Sequence, residues 1–182
     1  MKSISRRTFL RNTTLLTATG LAACTVAKNG STTTLTLNTA KVKAYGQAGL
    51  NAVATILSIA AVSSAMGAPA VAAINVASAA LSAALASFST ATKGLLTISY
   101  NDSSWKTRVD TLLVDLNGVA TSLRAGLTAA QSTVTNGAIN TAITAFNALL
   151  TVLDAFMGLL GISLSSVTDQ QEATALNTLG AQ

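Results

Sequence analysis

Residues 103–134 read SSWKTRVDTLLVDLNGVATSLRAGLTAAQSTV, and the spacing of their apolar side chains decides the fold class. Trp105, Val109, Leu112, Leu116, Val119, Leu123, Leu127 and Val134 recur three, four or seven residues apart. That interval returns a side chain to the same face of an α-helix. Lys106 and Asp110 stand one turn apart on the outer face, a pair that contributes about 0.3 kcal/mol. Asp102, Ser103 or Ser104 supplies the cap at the start.

Working outward, Asn136-Gly137 reads as a tight break, with glycine accepting the left-handed geometry of a helix end. A fourth helix follows, in which Ile139, Ile143, Phe146, Leu150, Leu153, Met157 and Leu160 keep heptad spacing. Gly161 ends it. Thr168-Asp169-Gln170-Gln171-Glu172 has the form of a capping box and opens a short terminal helix to about Leu179. Upstream, Lys93 to Ser104 links the two halves, and Leu95, Leu96, Ile98 and Tyr100 are expected to fold back onto the helix ends.

Before that link, Asn38 or Thr39 caps a first helix expected to run to about Met66. Val42, Tyr45, Val53, Ile56 and Ile59 form its apolar stripe. Gly67-Ala68-Pro69 breaks the chain, proline being tolerated in a first helical turn. The second helix is expected from Pro69 to about Thr92, with Val71, Ile74, Leu81, Leu85 and Phe88 inward. Short connections make successive helices antiparallel neighbours. The expected fold is therefore all-α, an antiparallel four-helix bundle of two helical hairpins plus a short C-terminal helix.

No charged residue lies between Lys43 and Lys93. Long uncharged runs are candidates for crossing a bilayer, but alanine and serine supply most of this one. Two buried helices packed closely through Ala73, Ala77, Ala80 and Ala84 account for it. A membrane hairpin over residues 44–92 is the alternative.

The first 24 residues have a secretory layout, with a basic start, a modest apolar run and small residues before a cleavage point. Ser5-Arg6-Arg7-Thr8-Phe9-Leu10-Arg11 resembles the twin-arginine translocation signal, with Ser5, Arg6, Arg7, Phe9 and Leu10 matching and Arg11 standing for the usual lysine. Leu21-Ala22-Ala23-Cys24 resembles a bacterial lipobox. An ordinary leader carrying one cysteine is the plainer reading, yet this cysteine is the single one in the chain. The resemblance implies export by the twin-arginine translocase, cleavage by a signal peptidase, and acylation of Cys24. Thr25 replaces the aspartate that retains such proteins at the inner membrane, so the implied location is the outer membrane, facing the periplasm.

These readings divide the chain into a signal peptide at 1–23, a lipidated tether at 24–37 and a helical domain at 38–182. Ser/Thr-rich residues 25–37 suit a flexible spacer, with a short strand at Thr33–Leu37 as the alternative.

The pI near 9.8 belongs largely to the leader. Beyond it, seven cations (Lys28, Lys41, Lys43, Lys93, Lys106, Arg108, Arg124) face six acids. A nucleic-acid binder clusters its cations on one face, and no such cluster is legible. There is no histidine, which excludes the usual triad, and with Cys24 acylated it leaves no Cys/His site for zinc, haem or an Fe–S cluster. No cofactor is expected. A Ser–Lys dyad would have to recruit Lys41, Lys43, Lys93 or Lys106, all placed near helix ends. Asp115 and Asp154 are the best candidate carboxylate pair, with a divalent cation between them as the sharper reading and solvated boundary positions as the plainer one. Tyr100 and Trp105 are a candidate recognition patch, or a cap on the helix ends. The expected function is a non-catalytic binding, scaffold or accessory protein with a protein partner. The second hypothesis is a membrane-active or lipid-binding bundle.

Overall fold

The computed structural model describes residues 24–29, 32–162 and 167–181; the leader, with its twin-arginine and lipobox residues up to Ala23, lies outside them. The described chain is mostly helical. It contains β1 (Cys24–Asn29), β2 (Thr32–Asn38), α1 (Thr39–Ser58), α2 (Ala60–Met66), α3 (Ala68–Ala91), β3 (Thr97–Ser99), α4 (Ser103–Ala130), α5 (Asn136–Leu159) and α6 (Asp169–Thr178).

Helix α1 is the hub. It packs against α3, α4, α5 and α6, while α3 also meets α4 and α4 meets α5. Tyr45 lies 5.1 Å from Phe156, centroid to centroid, so the start of α1 sits beside the end of α5. Phe88 and Trp105 meet edge to face at 6.4 Å, which puts the end of α3 beside the start of α4. The starts of α1 and α4 and the ends of α3 and α5 therefore share one end of the molecule. Along the shared core, Val42, Ile56, Leu81, Leu116, Leu123, Leu149, Val152 and Phe156 are buried, each contributing about 1.5–3 kcal/mol relative to exposure.

Close approach to α1 depends on two glycines. A Cβ at Gly46 would lie 2.9 Å from Leu85 Cδ1; one at Gly49 would overlap Leu116 Cδ1 and sit 2.7 Å from Leu81 Cδ2. The intimate contact thus uses glycine on α1 against leucine on α3 and α4. The alanines expected to mediate it do not: Ala73 and Ala80 are exposed, and Ala77 and Ala84 only half-buried.

Further expectations are corrected. The first helix does not run unbroken to Met66; it stops at Ser58, and α2 departs at 92°. Ile59 is extended (φ −81°, ψ 95°), and the Ser58 hydroxyl donates to the Thr55 carbonyl at 2.7 Å, competing for helix acceptors. The turn lays Val62 and Met66 against α4, where both are buried. Gly137 does not form a left-handed break, because the glycines with positive φ among the described residues are Gly67, Gly94, Gly161 and Gly180. Instead α4 ends at Ala130, short of the expected Val134, and Thr135 caps α5 in an extended conformation. The inward face of α5 is wider than a heptad seam, taking in Ala142, Leu149, Val152 and Phe156.

The tether is not a spacer. Its residues form an antiparallel hairpin in which Cys24 pairs with Leu37 and Asn29 with Thr32. In β2 threonine and leucine alternate from Thr34 to Leu37, a period of two that suits a pleated strand. Strand β2 then pairs with β3, Leu37 opposite Ile98, giving the sheet order β1-β2-β3. Within the link, Ile98 is buried and Tyr100 half-buried as expected, but Leu95 and Leu96 point outward at 44% and 84% exposure. At the far terminus the capping box is present, the Thr168 hydroxyl accepting from Gln171 N and Gln171 Oε1 accepting from Thr168 N.

Gly49→Ala should lower stability by about 1–3 kcal/mol, since both overlapped leucines are fully buried and must repack. Gly118→Ala meets nothing within 4 Å and should raise it by up to about 1 kcal/mol through helix propensity. Urea unfolding of the two variants reads both signs.

Candidate functional site

Among the described residues, three polar clusters and one exposed surface are the features that bear on chemistry. The first gathers around the β3–α4 junction. Tyr100 Oη donates to Asp110 Oδ1 at 2.5 Å, and Lys106 Nζ donates to Asp110 Oδ2 at 2.7 Å and to Tyr100 Oη at 3.1 Å. The ammonium also stands 4.7 Å from the Tyr100 ring centroid. Burial, then the hydrogen bond to Asp110, raises the Tyr100 hydroxyl above its ordinary value. Burial pushes the Asp110 carboxyl up, but the bonds from Lys106 and Tyr100 outweigh it and hold it below the usual carboxylate range. Lys106 is pushed up to about 12, first by its bond to Asp110. Such a lysine is firmly protonated, the opposite of what a general base requires.

Asp102 starts α4, its Oδ1 accepting from Ser104 N at 2.9 Å and Ser104 Oγ at 2.6 Å; these bonds hold it below the ordinary aspartate value. Trp105 is half-buried against Phe88 rather than against Tyr100. The two aromatics of the expected patch are thus separately engaged.

The second cluster was not legible in the sequence. Lys41 Nζ lies 2.8 Å from Glu172 Oε2, and the Tyr45 hydroxyl donates to Glu172 Oε1 at 2.8 Å. Glu172 is 8% exposed and Tyr45 fully buried. Asn51 Nδ2 donates to the carbonyls of Leu179, at 2.8 Å, and Gly180. Together these bonds clamp α6 along α1. Lys41 and Tyr45 are one turn apart beside the apolar stripe, the single local hint; their partner lies more than 120 residues away.

The third cluster is small: Arg108 Nη1 donates to Ser87 Oγ at 2.9 Å across an open hollow lined also by Ala86, Thr90 and Ala91. Asp115 is half-buried on α4 and Asp154 exposed on α5. No hydrogen bond or ion pair joins them among the described residues, and no group of three or more potential metal-ligating side chains occurs there.

The exposed surface is α3. Over its most apolar window the mean hydropathy is 1.8, yet 17% of that window is buried; the comparable window of α5 has 1.7 and 44%. Both helices are long and apolar enough to cross a membrane by length and composition. Outward from α3 stand Ala72, Ala73, Val76 at 72% exposure, Ala79, Ala80 and Ala83.

Comparison with known proteins adds no relative: no family model matches the chain, and no curated protein or solved structure matches it significantly.

Two outcomes are expected. Glu172→Gln should cost about 1–3 kcal/mol, because it leaves a largely buried ammonium without its counter-charge. Asp154→Asn should change stability by no more than about 0.5 kcal/mol, both read by urea unfolding. The Lys106–Asp110 pair should also show in pH dependence. Stability from the depressed Asp110 is present above the ordinary carboxylate range and lost as pH falls through its lowered value. Stability from Lys106 is complete below 10.5 and lost as pH rises through about 12. The Tm difference between wild type and Lys106→Met/Asp110→Asn should therefore be flat from about pH 5 to about pH 10 and shrink at both extremes.

Proposed function

We propose that this chain is an exported, lipid-anchored protein of the cell envelope whose helices form an antiparallel four-helix bundle and which acts by binding rather than by catalysis. The observation that carries the reading is Leu21-Ala22-Ala23-Cys24 behind a twin-arginine-type leader, with the single cysteine at the acylated position. The translocase and signal peptidase are its partners in transit, and the outer membrane, on the periplasmic side, is its destination. The binding face for a protein partner is the outward side of α3. It offers uncharged, small-residue surface that another protein can cover with little desolvation of charge. Tyr100, Trp105, Asp115 and Asp154 play no catalytic part in this reading, and no cofactor or nucleic acid is involved.

A second reading is favoured by the same helix: α3 meets acyl chains directly, making the protein lipid-binding or membrane-active. Its proposed element narrows from residues 44–92 to α3, because α1 is the enclosed helix and leaving the core would expose Val42, Tyr45 and Ile56.

Metabolic labelling with a palmitate analogue tests the anchor. The wild-type chain is expected to take up label and pellet with membranes, and Cys24→Ser to lose the label. Arg6→Lys/Arg7→Lys should retain the unprocessed chain in the cytosol. An unlabelled wild-type Cys24 with a free thiol overturns the reading. If acylated protein causes dye leakage from liposomes that Val76→Asp/Ala80→Asp abolishes, the second reading replaces the first.

A further inference from the structure

The large hydrophobic side chains that stand exposed among the described residues are Val76, Leu95, Leu96, Val114 and Ile162. Three of the five, Leu95, Leu96 and Ile162 (56% exposed), lie in connections at the end shared by the starts of α1 and α4 and the ends of α3 and α5. The strand register brings Cys24 to that same end. Cys24 pairs with Leu37, which pairs with Ile98, so Cys24 lies two strand spacings, roughly 10 Å, from the β3 backbone. Leu96 is two residues before Ile98, on the side toward the start of α1, and the chain enters β1 from that side too.

The loop that carries the leucines is firmly built. Gly94 turns it with φ +80°. The Leu96 carbonyl accepts from Thr39 N at 3.0 Å, and the Leu95 carbonyl from Thr39 Oγ1 at 2.7 Å. Its backbone is therefore held to the first residue of α1 while the side chains face out. Fixed display of two adjacent leucines to water is unfavourable for a soluble surface, where apolar area is driven out of contact with water.

We propose that the Lys93–Leu96 loop is a bilayer-insertion edge, with Ile162 exposed at the same end of the molecule: Leu95 and Leu96 enter the outer part of the leaflet that holds the acyl chains of Cys24. The inference rests on the proposed acylation and adds to it a fixed orientation, with the helix ends down and α3 rising from the lipid surface. The charges at this end are balanced. Lys41, Lys43, Lys93, Lys106 and Arg108 face Asp102, Asp110, Asp154, Asp169 and Glu172, with Lys41 and Lys106 already paired. Attraction to lipid is therefore apolar and weakly dependent on salt, unlike a polybasic patch.

The test uses the full, lipidated protein. With Cys24 acylated, Leu96→Cys introduces the sole free thiol, which takes an environment-sensitive NBD label; Ala129→Cys, exposed near the far end of α4, is the reference. In vesicles of phosphatidylethanolamine and phosphatidylglycerol, the probe at 96 is expected to shift to the blue. A nitroxide on the acyl chain should quench it at least about twofold more than the probe at 129, for entry of about 5–10 Å. The contrast should persist at high salt. Equal, water-like emission from both positions on anchored protein overturns the insertion edge and leaves the anchor standing. Maleimide labelling of the unsubstituted chain reports on the anchor itself: a reactive Cys24 thiol overturns both.

Discussion

The absence of side chains at Gly46 and Gly49 is the constraint on which the packing of this molecule turns. Helix α1 is covered by α3, α4, α5 and α6, and a helix so surrounded needs at least one flank where backbones draw close. The two glycines provide it within one turn, and Leu81, Leu85 and Leu116 fill the space. From that contact the rest follows. With α3 and α4 drawn in, Phe88 reaches Trp105 and Met66 reaches Gly126. The opposite flank of α1 is then left for Tyr45, Phe156 and the clamp to α6.

The polar groups serve the same scheme. Glu172 holds Lys41 and the Tyr45 hydroxyl, so the one acid that α6 buries has a partner on each oxygen. A lone buried carboxylate would be costly, whereas a doubly bonded one is tolerated and fixes where α6 lies. At the other cluster, Lys106 and Asp110 are more exposed, and their worth is positional: they hold Tyr100, and through it the end of β3, against α4.

Much of the helical content was legible because it is local. The three-and-four spacing of Val109 to Leu127 and the Thr168 capping box report directly on structure within a few residues. What escaped is tertiary. Nothing near Ile59 announces that the helix must turn there; the turn is favourable because Val62 and Met66 find α4. Residues 24–38 read first as a spacer, with a strand at Thr33–Leu37 as the alternative, because threonine suits strand and coil alike. Strand β2 fulfils the alternative, and its pairing with β1 and of Leu37 with Ile98 across 60 residues was not legible. At the site, Lys106 and Asp110 were visible as an i,i+4 pair, whereas Tyr100 joining them, and Glu172 reaching Lys41, depend on how distant segments meet. The exposure of α3 was illegible for the same reason, since composition alone does not separate a buried alanine helix from an outward one.

The hairpin has a mechanical implication for the proposed anchorage. Because β1 begins at Cys24 itself, almost no free chain separates the acylated residue from folded structure. Such a protein rides at a fixed height, like a stud set flush in a surface rather than a buoy on a line. So anchored, it would meet only what comes within one molecule's length of the membrane, and its encounters would reduce to a lateral search among molecules confined to, or pressed against, the same sheet of lipid.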